Sequence, residues 1–106
     1  MEKLEPTREE INALKGAALL EFGATWCGYC KAAQPTITSE LSHFPNISYI
    51  KIEDGKGRRL GRSFHVKLWP TLIFLKDGVE FKRLVREIDA AELRSGLALI
   101  TAEQAS

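Results

Sequence analysis

The sequence predicts an α/β fold, a central sheet with helices on both faces. Three observations carry that prediction. Short apolar runs at 17–22, 47–52 and 71–75 have the length of strands and recur along the chain. Helical patterns stand between them. Asp77-Gly78 falls between two strand-like runs, the pairing expected of a tight hairpin turn.

The elements follow in order. Thr7 reads as a helix N-cap with Glu10 three residues on, a capping-box pattern. Ile11 and Leu14 give that helix an apolar side, and Gly16 ends it. The run 17–22 is nearly continuous in apolar residues, as a buried central strand requires. A long helix follows from about Cys27 to Phe44, with Pro35 inside it. Residues 47–52 form the next strand. Residues 56–64 read as a short helix, with Leu60 and Phe64 four apart. Residues 71–75 and 79–85 are the arms of the hairpin. Asp89 and Glu92 make a second capping pair, and Leu93, Leu97 and Ile100 form the inner side of a last helix. Lys3 and Leu4 are candidates for a further, short edge strand.

A chain of 106 residues suffices for one domain with one core, spanning 1–106. The formal net charge of +1 argues against nucleic-acid or membrane-surface binding by bulk electrostatics. No apolar run approaches the ~20 residues that cross a bilayer. Residues 1–12 are charged and lack the apolar core of a secretory signal, so the chain as written reads as cytoplasmic. A removed signal peptide leaves no trace, and a periplasmic origin stays open.

There are two cysteines, Cys27 and Cys30, with two residues between them. So close a pair closes only a tiny loop and cannot staple distant elements. Cys30, Ala33, Ile37, Leu41 and Phe44 are spaced as one helical stripe, which puts Cys30 on the buried side. Cys27 sits at the helix start, where no preceding turn covers it. Unpaired backbone N–H groups and the helix dipole favour negative charge there, and the thiolate is the reactive form of a cysteine. Cys27 is therefore the expected nucleophile, and Cys30 the shielded resolving thiol. Two other readings stay open here. The pair could be half of a zinc site, with His43 and His65 as the remaining ligand candidates. It could also be two inert buried thiols. Glu21 is an acid within an apolar strand run, five residues before Trp26. Burying a carboxylate is costly, so it needs a partner, unless it lies on a solvent-facing side of the strand.

These residues resemble the thioredoxin family. Phe22-Gly23-Ala24-Thr25-Trp26-Cys27-Gly28-Tyr29-Cys30-Lys31 is similar to the family's active-site segment, Pro35 to its kinking helix proline, and Trp69-Pro70-Thr71 to its cis-proline segment. Gly78 fits the hairpin turn. The matches run with consistent spacing from about Leu19 to the last helix. The resemblance implies the thioredoxin fold, a central mixed β-sheet of four to five strands flanked by helices on both faces. It implies reversible dithiol–disulfide exchange with protein substrates, no bound cofactor or metal, and a monomer with a redox partner such as a thioredoxin reductase. Pro70 would be cis and face the cysteines, with the backbone before it pairing to an extended substrate segment. A plain strand-start proline is the alternative. Glu21 falls on the family's buried acid, which moves a proton to and from Cys30 through water. Lys51 falls on the partner lysine and would pair with Glu21, or else be a surface lysine. Trp26, Gly28, Tyr29, Trp69 and Arg86 would form the substrate-docking surface, with Trp69 either free to dock substrate or packed on Trp26.

Three positions depart from thioredoxin itself. Gly28-Tyr29 stands where it has Gly-Pro, Trp69 where it has a small aliphatic residue, and Arg86 where the family has glycine. The dipeptide and Glu21 resemble disulfide isomerases and oxidases more. They imply a pair less reducing than thioredoxin's, within the range of about −270 to −120 mV. Trp69 and Arg86 imply altered partner choice. Lys56, Arg58, Arg59 and Arg62 read as a solvated helix face rather than an anion site. A rival to the enzyme is a binding module that carries the cysteines as a passive redox label.

Overall fold

The computed structural model describes residues 5–102. Its elements are α1 (Arg8–Asn12), β1 (Ala17–Gly23), α2 (Gly28–Leu41), β2 (Ser48–Glu53), α3 (Arg59–Ser63), β3 (Thr71–Lys76), β4 (Val79–Val85) and α4 (Ala90–Thr101). Among the described residues the sheet has four strands in the order β2-β1-β3-β4. β1 pairs parallel to β2 and antiparallel to β3, and β3 pairs antiparallel to β4, so the sheet is mixed. The edge strand considered at Lys3 and Leu4 lies outside the described residues.

Period-two alternation explains how β1 serves both faces. Ala18, Leu20 and Phe22 point to one side, where Ile11 of α1 and Leu60 of α3 complete a buried cluster. Leu19 points to the other, where Ala33 and Ile37 of α2 and Leu93 and Leu97 of α4 close a second cluster. Glu21 follows Leu19 on that same face. Burying one such Leu, Ile or Phe side chain is worth about 1.5–3 kcal/mol, so these two clusters hold the layers together.

The helix signals resolve in detail. Thr7 and Glu10 form the complete capping box of α1. Asp89 caps α4 by accepting from the Glu92 N–H, but the Glu92 side chain does not return to the cap. It takes the Lys82 ammonium instead, at 2.8 Å. Two helices are shorter than the sequence predicts. α2 ends at Leu41 rather than Phe44, with Pro45 close behind. α3 spans Arg59–Ser63 because Gly57, at φ +84°, holds the preceding chain in the left-handed region. At the hairpin Asp77 and Gly78 both have positive φ, +50° and +78°, as a type I′ turn requires.

Candidate active site

The turn after β1 and the first turn of α2 carry the two cysteines. Cys27 is the N-cap of α2, with extended backbone, and its Sγ accepts a hydrogen bond from the Cys30 N–H at 3.2 Å. A sulfur thus sits where a helix leaves backbone donors unpaired, a seat suited to a thiolate. Cys30 lies within the helix on the buried stripe. Both cysteines are free thiols.

The expected contrast in exposure is not found: Cys27 and Cys30 are each 7% exposed. Trp69 packs across a small cluster of Ala24, Cys27 and Cys30, and so covers the helix tip as well as its flank. What separates the two thiols is electrostatic. Cys27 has the helix N–H; Cys30 is desolvated, and burial pushes its thiol up to about 11. A hydrogen bond with Cys27 pushes the same way. Gly23 makes room for it, since a Cβ at that position would meet Cys30 Sγ at 2.7 Å.

The surface beside the cysteines is aromatic. The Trp69–Pro70 peptide is cis and Pro70 is buried. The Trp69 indole N–H donates to Asp54 at 2.9 Å, and Trp26 packs edge-on against Trp69 with ring centroids 5.2 Å apart. Of the two readings of Trp69, the one in which it packs on Trp26 describes this arrangement. Trp26 itself is 71% exposed. Gly28 and Tyr29 are also exposed. The Arg86 guanidinium lies 4.4 Å from the Tyr29 ring centroid, and the Arg86 N–H donates to the Pro70 carbonyl at 2.7 Å. Arg86 has φ +66°, a left-handed backbone that glycine adopts without strain.

Glu21 is buried on β1, so its solvent-facing alternative does not hold. With Gly23, Cys30, Gln34, Lys51 and Glu53 it lines a cleft of about 380 Å³. The expected Glu21–Lys51 pair does not form. The two residues are register partners on β1 and β2, yet Lys51 is exposed and its Nζ donates to Gln34 Oε1 at 3.0 Å. Glu21 Oε1 instead accepts from the Tyr49 hydroxyl. The physical reason is reach: Tyr49 lies two residues before Lys51 on the same face of β2 and fills the space next to the carboxylate. Sequence reasoning missed Tyr49 and Gln34. Period two along β2 and the four-residue step from Cys30 to Gln34 on α2 were the signals available.

The zinc arrangement is not assembled. His43 lies beyond the C-terminal end of α2, the end opposite the cysteines, and His65 is an exposed residue after α3. Among the described residues no group of three or more His, Cys, Asp or Glu could hold a metal ion. Lys56, Arg58, Arg59 and Arg62 are exposed, as a solvated face requires. No helix of the described residues is long and apolar enough to cross a membrane.

Comparison with known proteins agrees with this geometry. The Thioredoxin family model matches residues 3–98. Thioredoxin-2 of Pyricularia oryzae is 36% identical over 63% of this chain, which spans 39% of that protein. The thioredoxin of Chlamydia trachomatis is 34% identical over 66% of this chain and 69% of its own length. Thioredoxin 2 from Pseudomonas aeruginosa, solved in its reduced form, superposes with a TM-score of 0.80 at 48% identity, covering 92% of this chain and 90% of that one.

Proposed function

The chain belongs to the thioredoxin family and is a thiol–disulfide oxidoreductase with a Cys27–Cys30 pair, and from that premise we propose how its residues divide the reaction. Cys27 attacks one sulfur of a substrate disulfide. A Cys27–substrate disulfide forms, and the other substrate sulfur leaves as a thiolate. Cys30 then gives up its proton to Glu21, directly or across the cleft, and attacks Cys27 Sγ. The second substrate sulfur leaves, and a Cys27–Cys30 disulfide remains. The substrate gains two electrons and the pair loses two; the same steps run backwards oxidise a substrate dithiol.

The observation that carries this division is the placement of the two sulfurs, one held by a helix N–H at 3.2 Å and one desolvated with its thiol raised to about 11. Protein disulfides or dithiols are the substrates, docked on Trp26, Gly28 and Tyr29, beside Pro70, with Trp69 packed behind Trp26. A thioredoxin reductase is the proposed redox partner. Arg86 and Trp69, which fill places held by smaller residues in thioredoxin, select among partners.

The test is trapping. In an insulin-reduction assay with dithiothreitol, Cys27→Ser is expected to remove activity. Cys30→Ser is expected to accumulate a mixed disulfide with a disulfide substrate, seen as a mass increase that dithiothreitol reverses. A Cys30→Ser protein that accumulates none overturns the assignment of roles. Equilibration with glutathione is expected to give a potential above about −270 mV, and a value at or below that overturns the reading of Gly28-Tyr29.

A further inference from the structure

The buried acid is not held by a lysine, and the direction of its hydrogen bonds can be deduced. Lys51 Nζ carries donors only. Its partner on Gln34 is therefore the side-chain oxygen, at 3.0 Å. That leaves the Gln34 amide nitrogen to donate onward, to the Tyr49 hydroxyl oxygen at 3.2 Å and to Thr38 Oγ1 at 3.3 Å. A tyrosine hydroxyl has one proton. With its oxygen accepting from Gln34, that proton points at Glu21 Oε1. The order Lys51, Gln34, Tyr49, Glu21 thus runs one way, from a surface ammonium to a buried carboxylate. Each donor polarises the next.

We propose that Tyr49 is a positioning residue for the resolving step: its hydroxyl, aimed by Gln34 and Lys51, holds one oxygen of Glu21 and so fixes the carboxylate in the cleft it shares with Cys30, where it takes the Cys30 proton. The proposal rests on the redox reading above and deepens it. Tyr49 suits the task because it is half-buried, and burial pushes its own hydroxyl well above the usual tyrosine range, so it stays a donor. Tyr49 bonds to Oε1 alone, and Glu21 lines the same cleft as Cys30, which leaves Oε2 for the Cys30 proton. The other groups facing this carboxylate are few. β2 brings Lys51 and Glu53 to the cleft, and α2 brings Cys30 and Lys31. β3 offers apolar Leu72, the register partner of Glu21, and α4 offers Leu93 and Leu97.

The test separates the two chemical steps. Reduced protein mixed with Ellman's reagent releases thionitrobenzoate twice. The first release follows attack by Cys27 on the reagent's disulfide. The second follows attack by Cys30 on the Cys27 mixed disulfide, with the Cys30 proton lost. Both phases are followed by stopped flow across pH. Tyr49→Phe keeps the ring and removes the hydroxyl. The first phase is expected to stay within about twofold. The second is expected to slow about tenfold at neutral pH, the worth of one hydrogen bond to a charged group, and to recover as pH rises. Gln34→Met, on the half-exposed side of α2, is expected to move the second phase the same way by less, so the idea is testable even if Tyr49→Phe does not fold. Tyr49→Phe added to Glu21→Gln is expected to slow the second phase no further than Glu21→Gln alone. A second phase with an unchanged pH profile in Tyr49→Phe, or an effect that multiplies with Glu21→Gln, overturns the role of Tyr49 alone. An unsubstituted protein with no second phase overturns the resolving role of Cys30, and this proposal with it.

Discussion

Two thiols of equal exposure have different neighbours. Cys27 Sγ accepts the Cys30 N–H, whereas the Cys30 sulfur lies under Gly23, so close that a methyl group there would collide with it. Burial favours the uncharged form of a thiol, and Cys30 is raised to about 11. Only the thiolate alkylates, and the Cys30 thiol is raised, so the first iodoacetamide taken by the reduced protein should be on Cys27. A second adduct, on Cys30, should become appreciable only as pH approaches 11, read by peptide mass spectrometry. Rapid double alkylation at neutral pH is the outcome that contradicts the placement. Arg86 is a second case where neighbours decide. Its left-handed backbone costs ~1–2 kcal/mol, which its cation–π contact with Tyr29, about 0.5–1 kcal/mol at an exposed site, does not offset alone. Arg86→Gly removes both and adds ~0.5–1 kcal/mol of backbone freedom to the unfolded chain. Melting is therefore expected to stay nearly unchanged, while the choice among protein substrates changes.

α2 has two ends with different work. Its first turn holds the cysteines; its last is tied to α4 by Glu40, which is buried, and Arg94, whose Nε and terminal nitrogen reach the two carboxylate oxygens at 2.8 and 2.9 Å. The helix thereby keeps one orientation on the sheet, although Pro35 deprives it of an internal N–H donor. The hydrogen bond from Arg94 holds the Glu40 carboxyl below its ordinary value of 4.5. The folded state thus binds this proton less readily than the unfolded state. The stabilisation is complete above 4.5 and is lost as acid titrates the folded carboxyl at lower pH. Arg94→Gln should lower the melting temperature by a few degrees at neutral pH, and the gap from the parent should close on acidification below that value. A gap that stays constant down to pH 3 shows that the pair contributes through packing and not through charge. α4 also depends on a close approach: a Cβ at Gly96 would lie 2.5 Å from the Phe74 ring.

At the scale of the whole molecule, the sequence was most legible where one local rule governs. The Thr7–Glu10 capping box, the Asp77-Gly78 turn and the apolar runs of β1 and β3 each need only their own residues, and these lie where their patterns put them. It was least legible where a residue's partner comes from another element. The fate of Lys51 depended on Gln34 across the gap between β2 and α2, and the cover over Cys27 came from Trp69 some forty residues on. Pairing between elements also divides the core into two clusters on opposite faces of the sheet, and only one of them carries the cysteine helix. Ile11 of α1 belongs to the first and Ile37 of α2 to the second, at 1% and 0% exposure. Truncating either to alanine should cost about 2–5 kcal/mol, because each leaves a cavity in a close-packed cluster. The consequences for the thiols should differ. Ile11→Ala leaves α2 seated, so both phases of the reaction with Ellman's reagent should run at the parent rate below the melting transition. Ile37→Ala loosens the stripe that includes Cys30, so the second phase should slow several-fold while the first does not. If Ile11→Ala slows the second phase as much as Ile37→Ala does, the two faces are not independent, and the sheet transmits a loss on one side to the chemistry on the other.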